Sequence, residues 1–240
     1  MEFFSGINFY CVLGAALIPA VVLGICERNL KIYRRILTCL FIYLVYKDTP
    51  VQLVNLLCYS FCAVISARIY LFLRGKYGRN VYIYRAFIIF LTCPLILSRV
   101  INFAGFLGLS YIYFRVIQII IEIYDGIINN INYLGMIDFL LFFPALSSGP
   151  IDRIRRFELN NNHVYTRSEY LDMLGAGLHK IIIGLVYNLI LSSYFYELMI
   201  NKFPHNNARE LLGYTYSYGL YLFFNFAGYS ARSLLVLGIF

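Results

Sequence analysis

The sequence has few charged residues and no tryptophan. Only 13% of its 240 residues are charged and 61% are hydrophobic, whereas soluble domains average about 25% charged and about 45–50% apolar residues. The uncharged run Phe3–Cys26 is long enough to span a bilayer of about 30 Å, and it lacks the basic start and the cleavage site of a signal peptide. We interpret this run as a retained first span or a signal anchor. The composition excludes an ordinary soluble domain and predicts an integral membrane protein.

Motifs for binding metals and nucleotides are also missing. The six cysteines form no CxxC pair, and Cys58 and Cys62, four residues apart, have no histidine or acid at ligand spacing. His163, His179 and His205 lack such spacing too. No glycine-rich phosphate loop and no HExxH motif occurs. We therefore predict no metal and no bound cofactor.

The net charge of +8 is concentrated in short stretches between apolar segments. In a membrane protein this pattern is typical of topology control and of contact with anionic lipid head groups. No basic–aromatic motif of a nucleic-acid-binding protein accompanies it. The sequence thus predicts membrane lipid, and not nucleic acid, as the partner of these charges.

Charged stretches divide the chain into eight apolar segments, which predict one all-α polytopic membrane domain over residues 1–240. The segments are Phe3–Cys26, Ile36–Tyr46, Val51–Ala67, Val81–Ser98, Val100–Ile121, Ile131–Ser148, Ile181–Tyr196 and Leu212–Ser230. A polar loop is predicted over Ile151–Arg167. Thr166–Glu169 fits a capping box, so a helix should begin there.

The distribution of basic residues conflicts with a simple crossing pattern. Positive-inside counting places Arg28–Arg35 and Arg68–Arg79 in the cytoplasm and the N-terminus outside. If the fifth and sixth segments both crossed, the basic loop 152–167 would lie outside, against the rule. Gly105 and Gly108 favour a broken or re-entrant fifth segment, whose backbone must then be covered by protein or water.

Arg115 is a candidate functional residue because it lies within the fifth apolar segment. Tyr111 and Gln118 lie near the same helix face. An arginine at membrane depth costs about 2.5–3.5 kcal/mol on insertion scales, so it should face water or a partner, with Glu122 and Asp125 as candidates. A polar tunnel wall, a buried ion pair and an arginine reaching the interface all remain open.

The stretch 142–157, FFPALSSGPIDRIRRF, combines an apolar start with a cluster of arginines. Its candidate residues are Ser147, Ser148, Gly149, Pro150, Asp152 and Arg153. The Gly-Pro pair predicts the end of a helix. No base lies near the serines in sequence, so we expect them to satisfy backbone groups freed at that break and not to act as nucleophiles.

Two further polar positions lie in apolar surroundings. Asp138 could be an intramembrane site, although we favour a place at the membrane boundary near Asn132. Asn225 lies among phenylalanines and needs a hydrogen-bond partner, whereas Gly228, followed by Tyr229, allows close approach of another helix.

These segments together resemble the membrane-bound O-acyltransferase (MBOAT) family, in the branch that transfers D-alanyl groups to lipoteichoic acid. The blocks that carry the resemblance are LGLSYIYFRVIQIIIEIYDG (Leu107–Gly126), FFPALSSGPIDRIRRF, YSYGLYLFFNFAGYS (Tyr216–Ser230) and, more weakly, GAGLHKIIIG (Gly175–Gly184). Asn225 stands where the family usually has an aspartate.

The resemblance implies a helical bundle with broken helices in the multi-pass cell-membrane protein of a Gram-positive bacterium. It implies transfer of D-alanine from the phosphopantetheine thioester of a cytoplasmic carrier protein, across the membrane, toward teichoic acid or an intermediary. By resemblance, Tyr111, Arg115, Gln118, Ser147, Ser148, Gly149, Pro150, Asp152, Arg153, Asn225, Gly228 and Tyr229 would line or brace this passage.

Members of the family continue past the third block into a segment with a catalytic histidine. None of the three histidines here occupies such a position, so the resemblance implies a C-terminally truncated chain, the N-terminal portion of the fold, without catalytic residues and inactive alone. Two alternatives are a polysaccharide O-acetylation branch of the same family and a non-enzymatic membrane protein for transport or interaction.

Overall fold

The computed structural model describes residues 7–101, 105–146, 153–202 and 207–239, and it describes their side chains except at 7–13, 229 and 232–239. Within these ranges all regular structure is helical, which confirms the predicted all-α fold. The α-helices are α1 (Ile7–Ile25), α2 (Lys31–Tyr46), α3 (Pro50–Tyr77), α4 (Val81–Val100), α5 (Leu109–Tyr124), α6 (Tyr133–Leu141), α7 (Ile154–Asn162), α8 (Arg167–Leu185), α9 (Ser192–Lys202) and α10 (Ala208–Ile239). A 3₁₀ turn covers Phe143–Ala145 and a π-helical segment covers Val186–Leu191.

Three helices of the described chain are long and apolar enough to cross a membrane. They are α3 with 28 residues, α4 with 20 residues, and the continuous helix of 36 residues that runs through α8, the π segment and α9. An α-helix of about 20 residues is about 30 Å long, which matches the hydrocarbon core of a bilayer. Most of α4 and of the 36-residue helix is exposed, as expected for surfaces that face lipid.

Helix α5 lies at the centre of the packed region, against α3, α4 and α6. Its buried residues Ile112, Val116, Ile119, Ile120 and Ile123 are each at most 1% exposed. Their helical spacing places them along one broad apolar face. Because lipid tails are as apolar as these side chains, close packing and interhelical hydrogen bonds hold such helices together in a membrane.

The fifth predicted segment is broken, as the glycines indicated. Helix α4 ends at Val100 and α5 begins only at Leu109. Gly108, before the first turn of α5, has φ +85°, and a Cβ there would overlap the Leu146 carbonyl oxygen. Only glycine adopts this backbone conformation without strain. The Tyr46 hydroxyl donates a hydrogen bond of 2.6 Å to the Leu107 carbonyl in the break.

Helix α3 is longer than predicted, because the basic stretch after Ala67 continues the helix instead of forming a loop. Arginine and lysine are good helix formers, and their charged ends find partners at the helix end. Arg68 lies over the Tyr133 ring at 4.8 Å, and Arg74 Nε donates to the Tyr124 carbonyl at 3.2 Å. The predicted apolar segment Val51–Ala67 is therefore only part of a longer helix that includes most of the basic stretch 68–79.

The sixth segment differs most from its prediction. Helix α6 has only 9 residues and ends at Leu141, since Pro144 has no N–H to continue the helical ladder. The break thus begins before the predicted Gly149–Pro150 stop, which lies outside the described residues. The predicted polar loop 151–167 instead contains helix α7, whose Ile154 and Phe157 are buried.

The last part of the chain follows its predicted pattern more closely. Thr166 and Glu169 form the predicted capping box at the start of α8, with the Thr166 N–H donating to Glu169 Oε2 at 2.9 Å. Helix α10 begins at Ala208 and continues through the apolar tail to Ile239. It packs against α8, the π segment and α9, and it also contacts the 3₁₀ turn.

Candidate functional site

Three polar residues form one ridge along the buried side of α5. Arg115, Gln118 and Glu122, here called the α5 polar stripe, are spaced three and four residues apart and so lie on the same helix face. Arg115 and Glu122 are 2% and 5% exposed. Tyr111, one turn before Arg115, is half-buried. The stripe faces the segment from α6 to α7.

Arg115 binds backbone carbonyl groups at the end of α6. Its Nη1 donates to the Phe139 carbonyl at 3.0 Å and, more weakly, to that of Leu140 at 3.5 Å, and its Nη2 donates to the Ala145 carbonyl at 2.8 Å. The last carbonyl groups of a helix have no partner within the helix. A guanidinium, with five N–H donors in a planar fork, is suited to satisfy several of them at once. Arg115 therefore stabilises the broken end of α6.

The acidic partners expected for Arg115 are elsewhere. Glu122 lies near Arg153 and Arg155, at 3.8 Å and 3.5 Å from their Nε atoms, and Asp125 pairs with Arg79 at 3.0 Å. Seven residues of α-helix separate Arg115 from Glu122 by about 10 Å along the axis. Helical side chains also lean toward the N-terminus, so Arg115 leans away from Glu122. The expected pairing of Arg115 with Glu122 or Asp125 was wrong.

Two residues of the α5 polar stripe contact the stretch FFPALSSGPIDRIRRF (142–157). Within this stretch, Arg115 binds the Ala145 carbonyl and Glu122 approaches Arg153. The other candidate residues of the stretch, Ser147, Ser148, Gly149, Pro150 and Asp152, lie outside the described residues. The described residues on either side of 147–152 thus both contact helix α5.

Gln118 occupies the middle of the stripe, between the two anchoring residues. Its Oε1 is buried and accepts no hydrogen bond from any described residue. Buried side-chain oxygens are normally hydrogen-bonded, and no described residue supplies a donor for this one. Glu122 Oε2 likewise accepts no hydrogen bond among the described residues, so the stripe carries two buried acceptor oxygens without a described donor.

Asp138 has a definite partner. The Arg35 guanidinium donates to both of its carboxylate oxygens at 2.7–2.9 Å, a bidentate geometry that ties α2 to α6. The neighbouring Arg34 is 5% exposed and lies over the rings of Phe142 and Phe157. Sequence reasoning placed both arginines in a basic stretch on the cytoplasmic side, because the charges alone gave no sign of these contacts.

A second polar contact lies between α10 and the π segment. Asn188 Nδ2 donates to Asn225 Oδ1 at 2.6 Å. Gly228 lies one turn further along α10, where a Cβ would come within 2.8 Å of the Gly184 carbonyl oxygen and 2.7 Å of Asn188 Cβ. Sequence reasoning singled out Asn225 and Gly228 and missed Asn188, and the side chain of Tyr229 is not among those described.

The 3₁₀ turn contacts both α5 and α10. Arg115 binds the Ala145 carbonyl in this turn, and α10 packs against the same turn. The histidines lie apart from both contacts where they are described: His163 is exposed beside the Tyr165 ring, and His179 is exposed on α8. The described residues include no group of three side chains that could hold a metal ion.

The sequence is similar to curated bacterial transferases. No family model matches it. It is 31% identical over 244 residues to the teichoic acid D-alanyltransferase of Bacillus subtilis and 32% identical over 247 residues to that of Streptococcus thermophilus, in each case over 95% of this chain. A third relative, the teichoic acid D-alanyltransferase of Lacticaseibacillus rhamnosus, is 40% identical over 137 residues, 52% of this chain and 34% of its own length. The chain spans 62% and 58% of the lengths of the first two relatives.

Proposed function

We propose that this chain is part of a membrane acyltransferase that adds D-alanyl groups to teichoic acid at the cell membrane of a Gram-positive bacterium. The observation that carries the proposal is the similarity to teichoic acid D-alanyltransferases over 95% of the chain. The three helices long enough to cross a bilayer support a multi-pass protein. The relatives favour this reading over polysaccharide O-acetylation and over a non-enzymatic transport or interaction role.

The donor we propose is a D-alanyl thioester on the phosphopantetheine arm of a carrier protein. Positive-inside counting places the basic ends of α2 and α3 in the cytoplasm, and the carrier would dock on that side. The acceptor, teichoic acid or an intermediary, would lie on the other side. Donor and acceptor must then meet through a passage in the protein, because a charged ammonium group does not cross hydrocarbon unaided.

Broken helices support such a passage. Non-helical backbone at membrane depth is tolerated only where protein or water covers it. In this chain it occurs between α4 and α5 and again after α6. Arg115 satisfies the carbonyl groups at the second break, and Gly108 packs the first break against Leu146. The two breaks together would form one wall, with Gln118 as a polar group on it.

The chemical step needs a base to take a proton from the attacking hydroxyl, and histidine suits this task near neutral pH. Of the histidines that the structure describes, neither His163 nor His179 lies near the α5 polar stripe in sequence, and both are exposed. We propose that this chain supplies the passage and not the base, so that these 240 residues alone do not transfer D-alanine.

The test uses bilayer discs that contain this chain, a carrier protein loaded with radiolabelled D-alanine, and teichoic acid. We expect the loaded carrier to bind the discs, and the carrier without its phosphopantetheine arm to bind more weakly, with no label passed to teichoic acid. Equal binding to empty discs would rule out the proposed donor. Label on teichoic acid would show that the chain is active alone.

A further inference from the structure

A small polar cavity lies beside α7, outside the α5 polar stripe. Its volume is about 100 Å³, enough for several water-sized groups. It lies between α7 and the loop that follows α5. The lining residues are Ile127, Ile128, Asn129, Asn130, Ile131, Ile154, Arg155 and Glu158. A single acid, a single base and two amides therefore share a space bounded by isoleucines.

Glu158 has no partner among the described residues. Its Oε1 is buried and accepts no hydrogen bond, and burial raises the pKa of its carboxyl, although Lys31 opposes this effect. Lys31 itself donates to Asn162 Oδ1 at 2.9 Å and forms no ion pair with Glu158. A buried carboxylate without a hydrogen bond is costly. No residue that the structure describes donates to this oxygen.

The position of the carboxyl group depends on a glycine of α6. A Cβ on Gly135 would come within 2.5 Å of Glu158 Oε1. Glu158 Oε1 can therefore occupy this position only because residue 135 has no side chain. Since the atom in conflict is the end of a flexible side chain, an alanine at this position would move the carboxyl group and leave the helix packing largely intact.

The rest of the cavity lining supplies hydrogen-bond donors, whereas the Glu158 carboxylate supplies acceptors. Arg155 is about half exposed and uses its Nε near Glu122 at 3.5 Å. A guanidinium has further N–H groups beyond Nε. Asn129 and Asn130 add amide N–H donors. The cavity therefore combines an acceptor for a cation with donors for a carbonyl oxygen.

We propose that this cavity binds a small ligand in which a primary ammonium group lies next to a carbonyl group. The ammonium donates to Glu158, and the carbonyl oxygen accepts from Arg155 or an asparagine amide. An aminoacyl group has this chemistry. Assigning the ligand to the D-alanyl group rests on the proposed function, whereas the site itself rests on the cavity and on the Glu158, Arg155 and asparagine side chains in its lining.

Two probes of the same shape separate this proposal from a cavity filled only by water. D-alaninamide carries the ammonium and the carbonyl group, and D-lactamide replaces the ammonium with a hydroxyl. With the full chain in bilayer discs at neutral pH, we expect D-alaninamide to bind about tenfold more tightly than D-lactamide, the difference that a charged hydrogen bond makes. Equal affinities, or no saturable binding of either probe, would overturn the proposal.

Three variants locate the binding. Glu158→Gln keeps the shape and removes the charge, so it should abolish the preference for D-alaninamide. Gly135→Ala keeps the charge and displaces the carboxyl group, so it should weaken D-alaninamide binding as well. Glu197→Gln makes the same chemical change at an exposed acid of α9 and should leave binding unchanged. A preference that survives in both Glu158→Gln and Gly135→Ala would place the site elsewhere.

The outcome can be separated from that of the proposed function, because the carrier-binding assay does not use these probes. If the loaded carrier binds but D-alaninamide does not, only the cavity proposal fails. If D-alaninamide binds through Glu158 but the loaded carrier does not bind, the cavity proposal stands and the proposed donor is wrong.

Discussion

Arg115 holds the Ala145 carbonyl at 2.8 Å, across a sequence distance of 30 residues. Arg115 is the most buried charged residue of α5. Ala145 lies in the 3₁₀ turn, just before the two serines of the stretch FFPALSSGPIDRIRRF. The contact links a rigid helix to the irregular backbone that follows α6. It turns a charge that would be costly in a membrane into the group that makes irregular backbone tolerable.

Replacing Arg115 should destabilise the protein strongly. Arg115→Met leaves the carbonyl groups of Phe139 and Ala145 unsatisfied, which we expect to cost about 3 kcal/mol or more, since hydrogen bonds to charged groups contribute about 1.5–3 kcal/mol each. Arg115→Lys should destabilise the protein less than Arg115→Met, because the ammonium keeps the charge. It should still be destabilising, because the ammonium lacks the planar fork of the guanidinium. Thermal unfolding in detergent measures both. Arg85→Met, at an exposed site of α4, should change stability by at most about 0.5 kcal/mol.

Three glycine-to-alanine variants separate strain from packing. Gly108→Ala combines a positive φ with an overlap on the Leu146 backbone and should cost about 2–4 kcal/mol. Gly78→Ala has φ +65° and ψ −152°, a backbone conformation nearly restricted to glycine, but open space around it, so only backbone strain of about 1–3 kcal/mol remains. Gly175→Ala, in open space within α8, should gain up to about 1 kcal/mol. Equal melting temperatures for the first two would show that the contact with Leu146 is unimportant.

The packing of α10 on the π segment depends on Gly228. In Gly228→Ala the new methyl group meets Gly184 and Asn188, so the helices must separate at a cost of about 1–3 kcal/mol. Gly219→Ala lies on the same helix with open space around it and should be neutral or slightly stabilising. Thermal unfolding of the two variants side by side tests this, and a larger loss for Gly219→Ala would contradict it.

Glu158 should make stability depend on pH. Its folded pKa is raised by burial, so its protonated form contributes stability that is fully present below the ordinary carboxyl pKa. That contribution is lost as the pH rises through the folded pKa. Glu158→Gln should therefore unfold at a temperature close to wild type at about pH 4 and at a higher temperature than wild type at about pH 7. A wild-type advantage at pH 7 would contradict the prediction.

The sequence predicted helix starts well where they depend only on residues within about one turn. The capping box at Thr166 needs only residues within one turn, and the break before α5 needs only a glycine that can adopt positive φ. The extent of α3 and the existence of α7 were missed. Their arginines and asparagines are compatible with loop or helix, and contacts with Tyr124, Tyr133 and Phe139 decide between the two.

For the candidate site, too, the sequence identified some residues, and only the packing of helices revealed their partners. Arg115 and Asn225 could be selected from sequence because a polar side chain in an apolar run needs a partner wherever the helix is placed. Their partners could not be selected. Asn188, in an ordinary apolar segment, meets Asn225 only because α10 lies against the π segment, and Glu158 becomes unpaired only because α7 packs against Gly135.

The sequence by itself determined that this is a helical protein for a membrane, where its helices break, and which polar residues are out of place in hydrocarbon. These properties depend on hydrophobicity and on backbone freedom, which each residue carries with it. The tertiary structure alone decided that Arg115 satisfies broken backbone and not an acid, and that Glu158 borders a cavity. Hydrogen bonds of this kind join groups distant in the chain, and only the packing of helices brings them within 3 Å of one another.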